Sequence, residues 1–207
     1  VLSLIEEGLR ISFNSKVMRR RSLFLKCGSK GLKKQLIFTI QEFLKAGVIE
    51  EVEKARKENL NLFFPIPKKN KSLRWILDLA MFNEHVQKKS YKVESIAQIR
   101  EMIQEGDWMV SIDLVDAFYH LLIHPAYRKF FKFAALNRRF QFKALPMGFT
   151  NSPWALSRVV GEVVRKLRAD GVRLSFYVDD LIILAKSREE CLAHRDLVIK
   201  TMQKLGI

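Results

Sequence analysis

The sequence predicts an α+β fold, an antiparallel sheet backed by helices. Three observations predict it. Strand-like and helix-like runs are interleaved without the strict strand–helix–strand rhythm of a parallel sheet. Two stretches, 130–144 and 173–185, each hold a pair of strand-like runs around a short turn. And 48% of the 207 residues are hydrophobic, enough to bury the core of one globular unit with two lobes.

Each element has a local reason. Leu32–Lys45 keeps helical spacing at Leu32, Leu36, Ile37, Ile40, Phe43 and Leu44, and Gly47 is placed to stop it. "LNLFFPIP" (60–67) reads as extended, and its two prolines suit an edge strand. The basic loop "KKNKSLR" leads into a short strand, "WILD". Val93–Gln104 is expected to be a helix with Val93, Ile96, Ile99 and Ile103 on one side and Gly106 behind it. "WMVSID" (108–113) is a strand ending in an acid. Phe131, Phe133 and Ala135, then Phe140 and Phe142, alternate around a turn near Asn137. Ser152 as N-cap, Pro153 at the first helical position and Gly171 bound the next helix. The last helix opens on the capping box Ser187/Glu190 and runs to Gly206. There is no internal repeat and no low-complexity linker.

Charge narrows the function. Lys and Arg number 37 against 22 Asp and Glu, a net charge of +15. Gly8 to Gln41 contains no acid, yet holds Arg10, Lys16, Arg19, Arg20, Arg21, Lys26, Lys30, Lys33 and Lys34. Such a run reads as a phosphate-binding face ahead of a merely solvated surface; "RRRSLFLK" also has the composition of a short nuclear signal. No window approaches the apolar length of a membrane span, and "VLSLIEEGLR" has acids where a signal peptide is basic and then apolar. Cys27 and Cys191 are isolated, as reduced thiols are. The expectation is an intracellular protein of cytoplasm or nucleus, not secreted and with no membrane partner. Its start at valine suggests a piece of something longer.

The chemistry centres on "SFYVDDLIIL". Asp179 and Asp180 stand between the strand-like runs Arg173–Val178 and Leu181–Ala185, where a hairpin tip lets them project from the sheet. Asp113 closes a second strand. If the strands are neighbours, three carboxylates converge. They then repel one another unless cations sit among them. Hard divalent ions, above all Mg²⁺, suit oxygen donors. Two such ions about 4 Å apart can clamp the attacking and leaving oxygens of a phosphoryl transfer. Acids at a catalytic centre in a strongly basic protein indicate metal-dependent nucleotidyl chemistry on a nucleic acid. On this argument alone, polymerase and nuclease both stay open.

Four motifs, in order, carry a family resemblance. "FYVDD" resembles the YxDD box of reverse transcriptases. "SIDLVDAFYHLLIHPAYRKFFKFA" is similar to the family's first metal-binding motif and the segment after it, and "FQFKALPMGFTNSP" to its LPxG-SP motif. "FFPIPKKNKSLRWILDLAMFNEHV" is similar to the fingers segment with a Lys and an Arg for the incoming triphosphate. The resemblance covers about residues 30–207. Its phrase "EGDWMVSIDLVDAFYHLLIHP" is most similar to DIRS-like, tyrosine-recombinase retrotransposons, then to gypsy-type elements and pararetroviruses.

The resemblance implies a right-hand polymerase fold: a basic N-terminal segment and helix (1–47), fingers at about 48–88 and 121–151, and a palm at about 89–120 and 152–207. Thumb and RNase H domains would lie beyond Ile207. It implies an RNA-directed DNA polymerase using two Mg²⁺ ions, with Mn²⁺ as alternative, and RNA or DNA template-primer and dNTPs as partners. Oligomeric state is left open. By matching position, Asp113, Asp179 and Asp180 are the metal-binding and catalytic acids, with the Leu114 carbonyl as a further ligand. Lys68 and Arg74 hold the triphosphate, and Val115, Asp116 and Ala117 offer it backbone N–H groups. Phe118 lies beneath the sugar, and Met147 contacts the nucleotide where many relatives carry Gln. Gly148, Tyr177 and Pro153 face the template-primer. Ala80 stands where an Arg is frequent.

Blander readings apply elsewhere. His120 and His124 have the i, i+4 spacing of zinc ligands, but "HLLIH" lacks the intervening Glu and Pro125 disturbs a helix, so a packing or turn role is expected. Ser, Cys and His fall in no nucleophile arrangement, and His85 and His194 have no evident partners. Trp75, Phe63 and Phe64 interleave with basic residues but read as core ahead of base-stacking platforms. The rival functions are a catalytically inactive, truncated or decayed relative that only binds nucleic acid, and a two-metal nuclease. The nuclease gives no reason for the Lys68–Arg74 loop.

Overall fold

The computed structural model describes residues 1–17, 29–55, 58–68 and 72–207. Arg19, Arg20, Arg21, Cys27, Lys69 and Lys71 lie outside them. The chain forms two compact units, Leu2–Lys88 with Leu121–Ser152, and Lys89–His120 with Pro153–Ile207. Among the described residues no helix is long and apolar enough to cross a membrane.

The first unit is built on phenylalanine. Helix α1 (Leu2–Glu6) precedes α2 (Lys30–Lys45), which Ser29 caps by accepting a hydrogen bond from the Leu32 N–H. Strand β1 (Ile49–Val52) pairs antiparallel with β6 (Arg138–Phe142), which pairs with β5 (Lys132–Ala135). A separate antiparallel pair joins β2 (Phe63–Pro67) to β3 (Leu73–Leu77). Helix α3 (Ala80–His85) follows. Phe131, Phe133, Phe140, Phe142 and Phe149 are fully buried. Phe63 lies 4.3 Å from Phe133 and 5.3 Å from Trp75 between ring centroids, offset geometries that favour aromatic pairs. Phe63 and Trp75 are therefore core, and Phe64 is half-buried. The β5–β6 turn is made by Leu136 and Asn137, both left-handed at φ +53° and +62°, the twist-matched form of a two-residue hairpin loop.

His85 differs from its sequence reading. Its Nδ1 lies 2.7 Å from Ser15 Oγ. Asn14 N–H donates to the His85 carbonyl and Gln87 N–H to the Ser12 carbonyl. The pairing pins the N-terminal segment alongside α3. It is a seam of structure.

The second unit is a three-stranded antiparallel sheet in the order β4 (Trp108–Asp113), β8 (Asp180–Ala185), β7 (Arg173–Tyr177). Helix α6 (Arg188–Lys204) packs on β4 and β8. Helix α5 (Ser152–Ala169) contributes buried Leu156, Val160, Val164 and Leu167. The central strand β8 is the most buried, with Leu181, Ile183, Leu184 and Ala185 at 0–1% exposure.

Two helix expectations are corrected. Val93–Gln104 shortens to α4 (Ile96–Met102), which a capping box starts late: Ser95 Oγ accepts from Gln98 N–H and Gln98 Oε1 accepts from Ser95 N–H. Its apolar stripe is not buried; Ile96 is 81% exposed. Helical period signals a one-sided helix but does not supply the partner that covers the side. Ser152 is helical itself and does not cap: its buried hydroxyl donates to the Pro146 carbonyl instead. His120 and His124 share no helix either. His120 ends a 3₁₀ turn, Ala117–His120, and His124 caps another, Pro125–Phe131.

Candidate active site

Register brings the acids together. In the β4–β8 ladder Asp113 lies directly opposite Asp180, which sets their Cα atoms roughly 4.5–5.5 Å apart. The next residue along, Leu114, donates its N–H to the Asp179 carbonyl at 2.9 Å. Asp113, Asp179 and Asp180 are all exposed, so the carboxylates reach solvent at one end of the sheet.

The tip itself is strained. Tyr177 pairs with Asp180 across a two-residue loop, Val178-Asp179. Val178 has φ +60°, a left-handed conformation that a β-branched residue rarely adopts. Positive φ at the first loop position alone matches a type II′ turn, whose twist suits antiparallel strands. The turn puts Asp179 in the loop and Asp180 at the first position of β8.

Electrostatics marks the same cluster. Partial burial, then the negative charges of Asp179 and Asp113, push the Asp180 carboxyl above the usual carboxylate range. The two neighbouring carboxylates thus disfavour ionisation of the third. As the side chains stand, no three His, Cys, Asp or Glu among the described residues close round a point that would hold an ion. The donor chemistry of three carboxylates fits a hard divalent cation.

Beyond Asp113 the chain makes a tight loop. Leu114 is buried while Val115, at 73% exposure, points out. Asp116 is left-handed at φ +52°, and its carbonyl accepts from the Tyr119 N–H at 2.8 Å. Ala117 is buried and Phe118 half-buried in the 3₁₀ turn that follows. Tyr177 is 49% exposed at the end of β7, and Pro153 is the second residue of α5.

The remaining candidates belong to the first unit. Lys68 and Arg74 flank the β2–β3 turn, which the Lys68 N–H closes on the Ser72 carbonyl at 2.7 Å, and both side chains are exposed. Gly148 is exposed with φ +93°, and a Cβ there would sit 3.3 Å from the Leu77 carbonyl oxygen. Glycine is thus required by the backbone itself. Met147 beside it is half-buried.

Sequence reasoning missed Asn83. Its amide donates to the Gly148 carbonyl at 2.8 Å and accepts from the Thr150 N–H at 3.0 Å, so one side chain holds the 148–150 loop from α3. Its only sequence signal is an amide in an apolar stretch, which is too common to read.

Residues 66–207 match the family model described as reverse transcriptase (RNA-dependent DNA polymerase). The chain belongs to the reverse transcriptase family. As a reverse transcriptase domain it is 32% identical over 152 residues to the Gag-Pol polyprotein of Rous sarcoma virus subgroup B (strain Schmidt-Ruppin), covering 69% of this chain and 9% of the polyprotein. It is 26% identical over 168 residues to the Transposon Tf2-3 polyprotein of Schizosaccharomyces pombe, covering 81% and 12%. The domain thus spans about a tenth of the curated relatives it matches. Its fold is that of the foamy viral protease-reverse transcriptase solved in complex with double-stranded DNA. The TM-score is 0.78 at 20% identity, covering 94% of this chain and 33% of that one. The expected polymerase fold, with antiparallel sheets backed by helices, is the observed one.

Proposed function

We propose that this reverse transcriptase domain is the fingers and palm of an RNA-directed DNA polymerase from a retroelement, extending a primer with dNTPs on an RNA or DNA template. The observation that carries the reading is the Asp113–Asp180 register with Asp179 tied to Leu114, which gathers three carboxylates at one solvent-facing edge. The phrase "EGDWMVSIDLVDAFYHLLIHP" favours a DIRS-like element as the source.

Asp113, with Asp179 and Asp180 of the YVDD box and the Leu114 carbonyl, would hold two Mg²⁺ ions, or Mn²⁺ in their place. Bound there, such ions would supply charge neutralisation for a triphosphate and Lewis-acid activation of a hydroxyl. Lys68 would serve as a mobile point charge and Arg74 as a planar fork for the triphosphate. Val115, Asp116 and Ala117 would add backbone N–H groups. Phe118 would pack against the sugar, where a 2′-hydroxyl finds neither room nor a hydrogen-bond partner. Met147 would contact the nucleotide through apolar surface. Gly148, Tyr177 and Pro153 would face the template-primer.

Extension of a primed RNA template with dNTPs and Mg²⁺ tests the reading. Asp113→Asn is expected to lower the rate about a thousandfold, some 4 kcal/mol of barrier, while template binding persists. Wild-type protein that binds the primed template but never extends it would replace the enzyme with a nucleic-acid-binding module. Degradation without any need for dNTPs would indicate a nuclease.

A further inference from the structure

His120 makes two hydrogen bonds that no metal or packing role explains. Nδ1 lies 2.7 Å from the Gly206 carbonyl oxygen, and Nε2 lies 3.2 Å from the Val115 carbonyl oxygen. Both partners are acceptors only, so whichever ring nitrogen carries a proton donates to the carbonyl it faces. An imidazolium serves both carbonyls at once, a neutral imidazole one at a time. The ring is exposed, so it is not held there by burial.

We infer that His120 is a positioning residue: its Nε2 bond to the Val115 carbonyl fixes the peptide plane between Val115 and Asp116, and so the direction of the Asp116 N–H, while the Gly206 carbonyl just after α6 steadies the ring. A peptide unit is planar, and its C=O and N–H point in opposite directions. Drawing the Val115 carbonyl toward the imidazole therefore aims the Asp116 N–H the other way. Asp116 gains from such a restraint, because its φ of +52° is uncommon for residues other than glycine, even though Asp tolerates it better than most. The Tyr119 N–H to Asp116 carbonyl bond closes the loop from one side. His120 closes it from the other. Gly206, at φ +75°, turns the chain just after α6 and presents its carbonyl to the ring. The inference rests on the polymerase reading for its consequence, since the loop matters as a cradle for the incoming triphosphate. The tether itself stands on geometry alone.

Two variants separate the two bonds. In His120→Gln the amide nitrogen stands in for Nε2 and keeps a donor for Val115. In His120→Asn it stands in for Nδ1 and keeps a donor for Gly206. His120→Asn is expected to raise the KM for dNTP about three- to tenfold, the worth of one hydrogen bond, with kcat within about twofold. It should also speed amide exchange at Tyr119. His120→Gln should restore both toward wild type. Equal behaviour of the two variants, or unchanged Tyr119 exchange in His120→Asn, overturns the inference, as does a His120→Asn protein that no longer folds. Wild-type protein that fails to extend primers overturns the polymerase reading instead, and Tyr119 exchange still decides the tether.

Discussion

Val178 and Asp180 show how the site is made at the scale of single residues. A valine at φ +60° costs on the order of 1–3 kcal/mol of backbone strain. Asp180 follows two residues on, with its carboxyl pushed up by partial burial and by Asp179 and Asp113. Both features oppose folding. A group whose folded pKa is raised destabilises the folded state when it ionises, so this penalty is absent below the ordinary carboxylate pKa and fully present at neutral pH. Removing the charge is therefore expected to stabilise. Asp180→Asn should raise Tm by about 1–2 °C at pH 7 while eliminating primer extension, and the gain should shrink as the pH falls into the carboxylate range. Thermal melts at pH 7 and pH 4 check it; a lower Tm at pH 7 would show that Asp180 stabilises the strand end.

At the scale of elements, the sheet of the second unit is anchored at the end remote from the acids. Asp107 precedes β4, its side chain 1% exposed. It accepts from the Arg173 guanidinium at 2.7 and 3.0 Å, from the Gln104 N–H at 2.8 Å, and from Lys186 at 3.2 Å. Arg173 begins β7 and Lys186 follows β8, so one carboxylate fastens all three strands. The Arg173 hydrogen bond holds the Asp107 carboxyl well below its ordinary range. A depressed folded pKa contributes stability that is present above the unfolded value and lost as pH falls through the folded one. Asp107→Asn is thus expected to lower Tm at pH 7. The gap from wild type should narrow below about pH 4, where the unfolded Asp takes up its proton. A gap that stays constant down to pH 2 would mean that the side chain acts through packing alone.

Across the whole molecule, charge governs the partner. A net +15 is far more than solubility needs, and a polyanion bound by it releases condensed counterions. Affinity for primed template is expected to fall at least about tenfold between 50 and 200 mM salt. Changing Arg19, Arg20 and Arg21 together to Ala should flatten that dependence if they touch phosphate. An unchanged slope in the triple variant removes them from the binding surface.

Much of this was legible in the sequence. Ser187 caps α6 by accepting from Glu190 N–H, Gly171 follows α5, and the Phe131–Phe142 alternation became β5 and β6, because caps, glycines and period-two patterns act over a few residues. Strand β1 escaped notice because its two glutamates mask a strand whose charges are paired, Glu51 with Arg138 and Glu50 with Arg128 and Gln141. Residue type and motif order also named Asp113, Asp179 and Asp180 as a group. What only tertiary structure decided is register: that Asp113 meets Asp180, that Asn83 holds the loop at Gly148, that His120 reaches Val115 and Gly206, and that Ile96 faces solvent. Local spacing fixes which face of an element a side chain occupies. Which face meets which is set by hydrogen-bonded pairing and burial between segments far apart in the chain, and no short window of sequence contains both partners.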